Sequence, residues 1–225
     1  MTQHTAAPIE VFRIVPRFHD SFKGVLLEDD QILRWELDEQ AAPLPAGIPG
    51  SLDVDLGGTP ADYPTADPAC PVLSAALLQA VRDRFSGTGH FIPVTIPGLA
   101  TGTCTAYVPT TVSDCLDRID SSAPEATGKV RRAVFHPDRV PLQVPAFRLL
   151  ENKTYVYWNA WAARLIESSA APGSVELRLA WSSDPTATPH RDPMGFWCRL
   201  RQTGGLCRIC VCAECTAWAA LRAMS

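Results

Sequence analysis

The sequence predicts an α+β fold: mixed or antiparallel strands with two helix–strand units packed on the sheet. Three observations predict it. One pattern occurs twice, from Pro71 to Ile96 and again from Thr154 to Trp181, each time as a short extended lead-in, a capped helix, a glycine stop and a strand. Short runs of alternating, β-rich composition precede and separate the two copies. The chain also holds twenty prolines in 225 residues, sited between periodic segments more than inside them, which indicates many short elements joined by fixed turns.

The elements follow in order. Ile9 to Val15 alternates and is rich in β-branched residues, a first strand. Gln31-Ile32-Leu33-Arg34-Trp35-Glu36-Leu37 reads as a second strand, Ala41 to Gly50 as a Pro/Gly loop, and Ser51 to Leu56 as a further alternating run. Gly57, Gly58 and prolines 60, 64, 68 and 71 make an irregular approach to the first helix. There Ser74 supplies a side-chain oxygen able to accept an unpaired N–H of the first turn, and Leu73, Leu77, Leu78, Val81 and Phe85 form one apolar stripe. Gly87 and Gly89 break the helix before the strand His90 to Ile96.

Cys104 to Val108 and Thr111 to Leu116 are extended, with Pro109 marking a bend or an edge position between them. Ser121 to Lys129 is polar and predicted to be a mobile loop. Val130 to Phe135 and Ala146 to Leu150 are predicted as short strands. In the second unit Asn159 stands where Ser74 stood. Trp161, Leu165 and Ile166 give the stripe, Trp158 packs just before it, and Gly173 precedes the strand Val175 to Trp181. Periodicity stops there, so a domain is expected over residues 8–184, followed by an atypical Cys/Arg-rich tail, disordered or aberrant, over 185–225.

Charge divides at the same place. Residues 1–185 carry 15 Lys/Arg against 22 Asp/Glu, a net of −7, whereas residues 186–225 carry five Arg against two acids. An acidic body argues against nucleic acid, which needs a concentrated basic face, and suits a basic protein partner. No apolar run approaches the roughly 20 residues needed to span a bilayer, so no membrane partner is expected. Met1 to Pro8 lacks the basic start and apolar core of a signal peptide, so a cytoplasmic location is expected.

Cys70, Cys104 and Cys115 lie in apolar surroundings and read as small buried hydrophobes. Cys198, Cys207, Cys210, Cys212 and Cys215 crowd the tail. Of these, Cys207, Cys210, Cys212 and Cys215 are candidate zinc ligands. However, one residue, Val211, separates the two ligand pairs, where structural zinc sites use a dozen or more, so neither metal nor other cofactor is expected. His190-Arg191-Asp192 imitates the start of a kinase catalytic loop, but Trp197 occupies the position that needs Asn. No nucleophile elbow, phosphate-binding loop or zinc-protease helix is present in the sequence. His19-Asp20 and His90 could join a triad only through geometry that a sequence does not carry. His90 reads as a packed edge residue. Asn152-Lys153-Thr154 is a glycosylation sequon. Asp62, Asp114 and Asp117 are candidates for an acidic partner-binding surface, against the alternative that they shape turns and cap backbone N–H groups.

Asp62-Tyr63, Pro71-Val72-Leu73-Ser74, Phe91-Ile92-Pro93-Val94 and Asp114-Cys115-Leu116-Asp117, in that order and spacing, resemble the immunity-protein family known as Imm11 or DUF1629. Pro145-Ala146-Phe147-Arg148-Leu149 is similar to the family's later phenylalanine–arginine strand, and the second unit to its closing helix–glycine–strand. The resemblance covers roughly residues 10–183. It departs at Tyr155 to Asn159, where an Ile-Val-Ser-like run is usual, and at Gly173 to Leu177, which lacks a Phe. It implies a bacterial immunity protein of a polymorphic toxin system: no enzyme, but a binder that neutralises a cognate toxin protein, with no catalytic residue to carry over. The alternatives are an enzyme with an unrecognised site and a zinc-dependent interaction module built on the tail.

Overall fold

The structure is a computed structural model and describes residues 7–16, 22–28, 31–37, 43–52, 59–64, 70–122, 130 and 132–190. Its first elements are β1 (Glu10–Pro16), β2 (Phe22–Lys23), β3 (Val25–Leu27), α1 (Gln31–Leu37), β4 (Ile48–Leu52) and β5 (Thr59–Pro60). The first helix–strand unit is β6 (Val72–Ser74), α2 (Ala75–Phe85) and β7 (Gly89–Thr95). Next come β8 (Cys104–Pro109), β9 (Val112–Ser113) and β10 (Ala146–Leu149). The second unit, β11 (Tyr157–Asn159), α3 (Ala160–Ser169) and β12 (Val175–Ser182), ends the series. The fold is α+β, with two mixed five-stranded sheets ordered β12-β1-β11-β10-β9 and β3-β4-β7-β8-β6, and a small pair β2-β5.

Both repeated units have the same construction. β6 and β7 each run antiparallel to β8, which lies between them, so α2 crosses over from one to the other. β11 and β12 likewise flank β1, both antiparallel to it, and α3 makes the crossover. Each helix is followed by a glycine at positive φ, Gly87 at 76° and Gly173 at 79°, a conformation open to glycine because it has no Cβ. A bulge shifts the β1–β12 register between Val11 and Phe12.

The helix stripe of α2 is buried through Leu77, Val81 and Phe85, as its spacing requires. It meets α3 and both sheets in one cluster with Ile14, Tyr107 and Trp158. Phe85 sits at its centre, with ring centroids 5.3 Å from Tyr107, 5.8 Å from Trp158 and 6.0 Å from Trp161. Burying a side chain of this size stabilises the fold by about 1.5–3 kcal/mol. In α3 the fully buried positions are Ala162, Ala163 and Ile166, while Trp161 and Leu165 pack partly exposed at the margin. The small alanines leave room for the aromatic rings of the first unit. A second cluster fills the opposite face of the β3-β4-β7-β8-β6 sheet, and α1 contributes Ile32 and Trp35 to it. The third gathers Cys115, Phe135, Phe147, Tyr157 and Trp181.

Four local expectations need correction. Residues 31–37 are a helix, not a strand: Ile32 and Glu36, four apart, are buried, and Arg34 is exposed. An alternating reading puts Glu36 on the wet side with Arg34, which is where an acid is expected. β4 begins at Ile48, inside the stretch read as loop, because it pairs with β3 and β7 despite Pro49 and Gly50. Residues 132–135 form no strand; Phe135 makes a single bridge to Leu116 and its ring anchors the third cluster. Asn159 occupies the N-cap of α3 without capping it. Its Nδ2 donates instead to the carbonyls of Pro141 (2.9 Å) and Val144 (2.7 Å). By contrast, Ser74 Oγ accepts from Leu77 N at 3.1 Å. Residues 53–58, 123–129 and 191–225 lie outside the described residues, and with them most of the Ser51–Leu56 run, most of the polar loop and most of the tail.

Candidate functional site

The three acids singled out in the sequence divide between two places. Asp62 belongs to the helix layer. Its Oδ1 accepts from Ser74 Oγ at 2.6 Å and its Oδ2 from Ala171 N at 2.7 Å, so one carboxylate ties the start of α2 to the end of α3. Tyr63 beside it packs edge-on to Trp158, with centroids 6.4 Å apart. The Asp62-Tyr63 and Pro71–Ser74 segments, twelve residues apart at the Asp62–Ser74 bond, thus meet in one contact.

Asp114 and Asp117 come together on the far side of β9. Cys115 and Leu116 are buried, and the backbone is pinned by His136 N to Cys115 O and Asp117 N to Val134 O, both 2.8 Å. The chain then turns outward. Asp117 Oδ1 accepts from Ile119 N at 2.9 Å and Asp120 N at 3.1 Å, and Ser121 N donates to Asp117 O at 2.9 Å. Those backbone N–H groups of Asp120 and Ile119 hold the Asp117 carboxyl below its usual range. Ile119, at the tip, is 94% exposed. Arg118 reaches Asp114 at 3.1 Å and Glu151 at 2.6 Å, which ties the turn to the corner after β10, where Leu150 is exposed and the Glu151 side chain is largely enclosed. The result is a shaped surface turn with an apolar tip, braced by Asp117 through backbone bonds and by Arg118 through its two ion pairs.

The three thiols among the described residues are enclosed. Cys70, Cys104 and Cys115 are buried, and burial holds the proton on each; Cys104 and Cys115 are pushed up to about 11. His90 is exposed and lies edge-on to the Trp35 ring, with centroids 5.9 Å apart. Asn152, in the sequon, is buried and accepts from Thr154 N and Oγ1, a local turn. Among the described residues no group of three or more His, Cys, Asp or Glu side chains is placed to hold a metal ion. The candidate ligands Cys207, Cys210, Cys212 and Cys215, like Cys198, His19 and Asp20, lie outside the described residues. No helix among the described residues is long and apolar enough to cross a membrane.

Sequence reasoning missed a buried polar group. Glu36 is 0% exposed, and neither carboxylate oxygen has a hydrogen-bond partner among the described residues. Burial pushes its carboxyl up to about 8, against the opposing pull of the Arg148 guanidinium. Arg148 is itself buried on β10; it donates from Nη1 to Lys153 O at 3.2 Å and lies 5.5 Å from the centre of the Trp35 ring. Trp35 therefore stands between a cation and His90. The only signal in the sequence is that a helical reading of residues 31–37 puts Glu36 on the same face as Ile32.

No family model matches the chain, and no curated protein matches its sequence.

Proposed function

We propose that this protein is a bacterial immunity protein that binds and neutralises a cognate toxin domain by covering it. The observation that carries the reading is the turn after β9. A large apolar side chain, Ile119, is held almost wholly in water in a turn closed by backbone bonds to Asp117, with Asp120 next in the chain and Arg118 paired to Asp114 and Glu151. Single exposed apolar residues are ordinary on a surface. Here the resemblance to immunity proteins ends its first half at this segment, and the body carries a net charge of −7 over residues 1–185. An exposed apolar anchor on an acidic body fits a basic toxin surface, with charge raising the association rate and the apolar contact slowing release.

The experiment is co-expression with the toxin encoded beside this gene. Growth should be rescued, and the two proteins should co-purify. Salt should slow their association more than it speeds dissociation, because the attraction reaches only about 8 Å at physiological ionic strength. Ile119→Asp should weaken the complex at least about tenfold, in the range of an interface anchor, and leave the melting temperature unchanged. Failure to bind the neighbouring toxin would remove this reading. Turnover of a substrate by the purified chain, abolished by one substitution, would replace it with an enzyme.

A further inference from the structure

α1 is a short helix packed on the β3-β4-β7-β8-β6 sheet through Ile32 and Trp35. Seven residues are too few for a helix to hold itself in water, so its structure depends on the cluster beneath it. Two of its side chains are fully buried there, Ile32 and Glu36, and one of those two is a carboxylic acid. Neither oxygen of that acid has a hydrogen-bond partner among the described residues. A neutral carboxyl tolerates such a seat far better than a carboxylate does, because an unpaired buried charge loses its hydration with nothing in return.

We propose that Glu36 makes α1 a pH-released element, seated on the sheet while its carboxyl is neutral and lifted from that seat when the carboxyl ionises. This is independent of toxin binding. The groups that face Glu36 decide the direction. From β10 comes the Arg148 guanidinium, which favours ionisation in place but is outweighed by burial. From the segment before β6 comes Cys70, whose thiol is itself held protonated and adds no charge. His90 of β7 lies against the Trp35 ring, and Arg34, on the helix, is exposed. β3 and β4 contribute Val25, Leu27 and Ile48 to the cluster, none of them titratable.

The sign follows from linkage. Seated, the carboxyl ionises near 8; released into water it returns towards its ordinary 4.5. Between those values the released form holds fewer protons, so the opening equilibrium rises about tenfold per pH unit and levels off above about pH 8.

Amide hydrogen exchange on the full-length chain from pH 6 to 9, with rates divided by the intrinsic chemical rate, tests this. Protection of residues 31–37 should fall about tenfold per unit up to pH 8, while β1 and β12 stay level. Glu36→Gln should abolish the slope. Should that variant not fold, the wild-type chain supplies a second measurement. Alkylation of Cys70, mapped by mass spectrometry and corrected for thiolate fraction, should accelerate over the same pH range, with Cys115 as the protected reference. A flat profile for residues 31–37, a slope kept by Glu36→Gln, or a Cys70 as protected at pH 9 as at pH 6 would overturn the proposal. So would an equal fall across β12, since the acid would then weaken the whole fold.

Discussion

The two helix–strand units share a pattern and differ in how they are closed. The β6–α2–β7 unit takes its middle strand from β8, the next strand along the chain, and its helix is capped by Ser74 as the residue type predicts. The β11–α3–β12 unit takes its middle strand from β1, at the opposite end of the described chain, and its cap residue turns away to bind two loop carbonyls. One unit is assembled from neighbours, whereas the other exists only once distant parts have met. Local sequence can specify a helix and its stop; it does not say which strand will be inserted beside it.

The largest expected effect tests where the two units join. Phe85→Ala removes the ring that touches Tyr107 of the first unit's middle strand and both Trp158 and Trp161 of the second unit. It should cost about 3–5 kcal/mol in denaturant unfolding, from lost transfer energy and the cavity left behind. A loss under about 1 kcal/mol would show that the units do not share one core.

A smaller effect tests the caps. Asn159→Ser keeps a good capping side chain but removes the two bonds to Pro141 and Val144. Stability should fall by about 1–3 kcal/mol, because two part-buried hydrogen bonds are lost and Val144 O loses its amide donor. If the variant melts with the wild type, capping is the role of Asn159 after all, and the contrast between the units disappears.

The smallest change is Ser74→Ala, which should cost about 1 kcal/mol through loss of the bond to Leu77 N. The same variant frees one oxygen of Asp62, whose other oxygen holds Ala171 N. Hydrogen exchange should therefore quicken at Ala171 as well as in the first turn of α2. Exchange unchanged at Ala171 would show that the clamp between the units does not depend on Ser74.

Much of the fold was legible because its signals are local. The apolar stripe of α2, the alternation in β1, and the glycines after both helices each follow from the geometry of a few consecutive residues. What failed had seven or fewer residues, or depended on a distant partner. Gln31 to Leu37 fits two periods equally well at that length, and the acid at Glu36 tips the reading towards a strand with its polar side out. Asn159 has the right chemistry for a cap, yet Pro141 and Val144, brought near by β10 and β11, compete for its amide.

The candidate sites divide in the same way. Asp114 and Asp117 were legible as a pair, since they sit three residues apart, and Asp62 was legible as an acid with a local bonding role. That Asp62 reaches Ala171, 109 residues away, was not. Nor was the enclosure of Glu36 beside Arg148.

By itself the sequence determined the α+β class, the duplicated unit, the α2 core face and the burial of Cys70, Cys104 and Cys115, because backbone propensity and hydrophobic period are properties of adjacent residues. Only the tertiary structure decided which strands lie inside each unit, which acid is buried, and which cap residue caps. Those outcomes depend on what packs against a residue from far along the chain, where burial and competing hydrogen bonds outweigh any local preference.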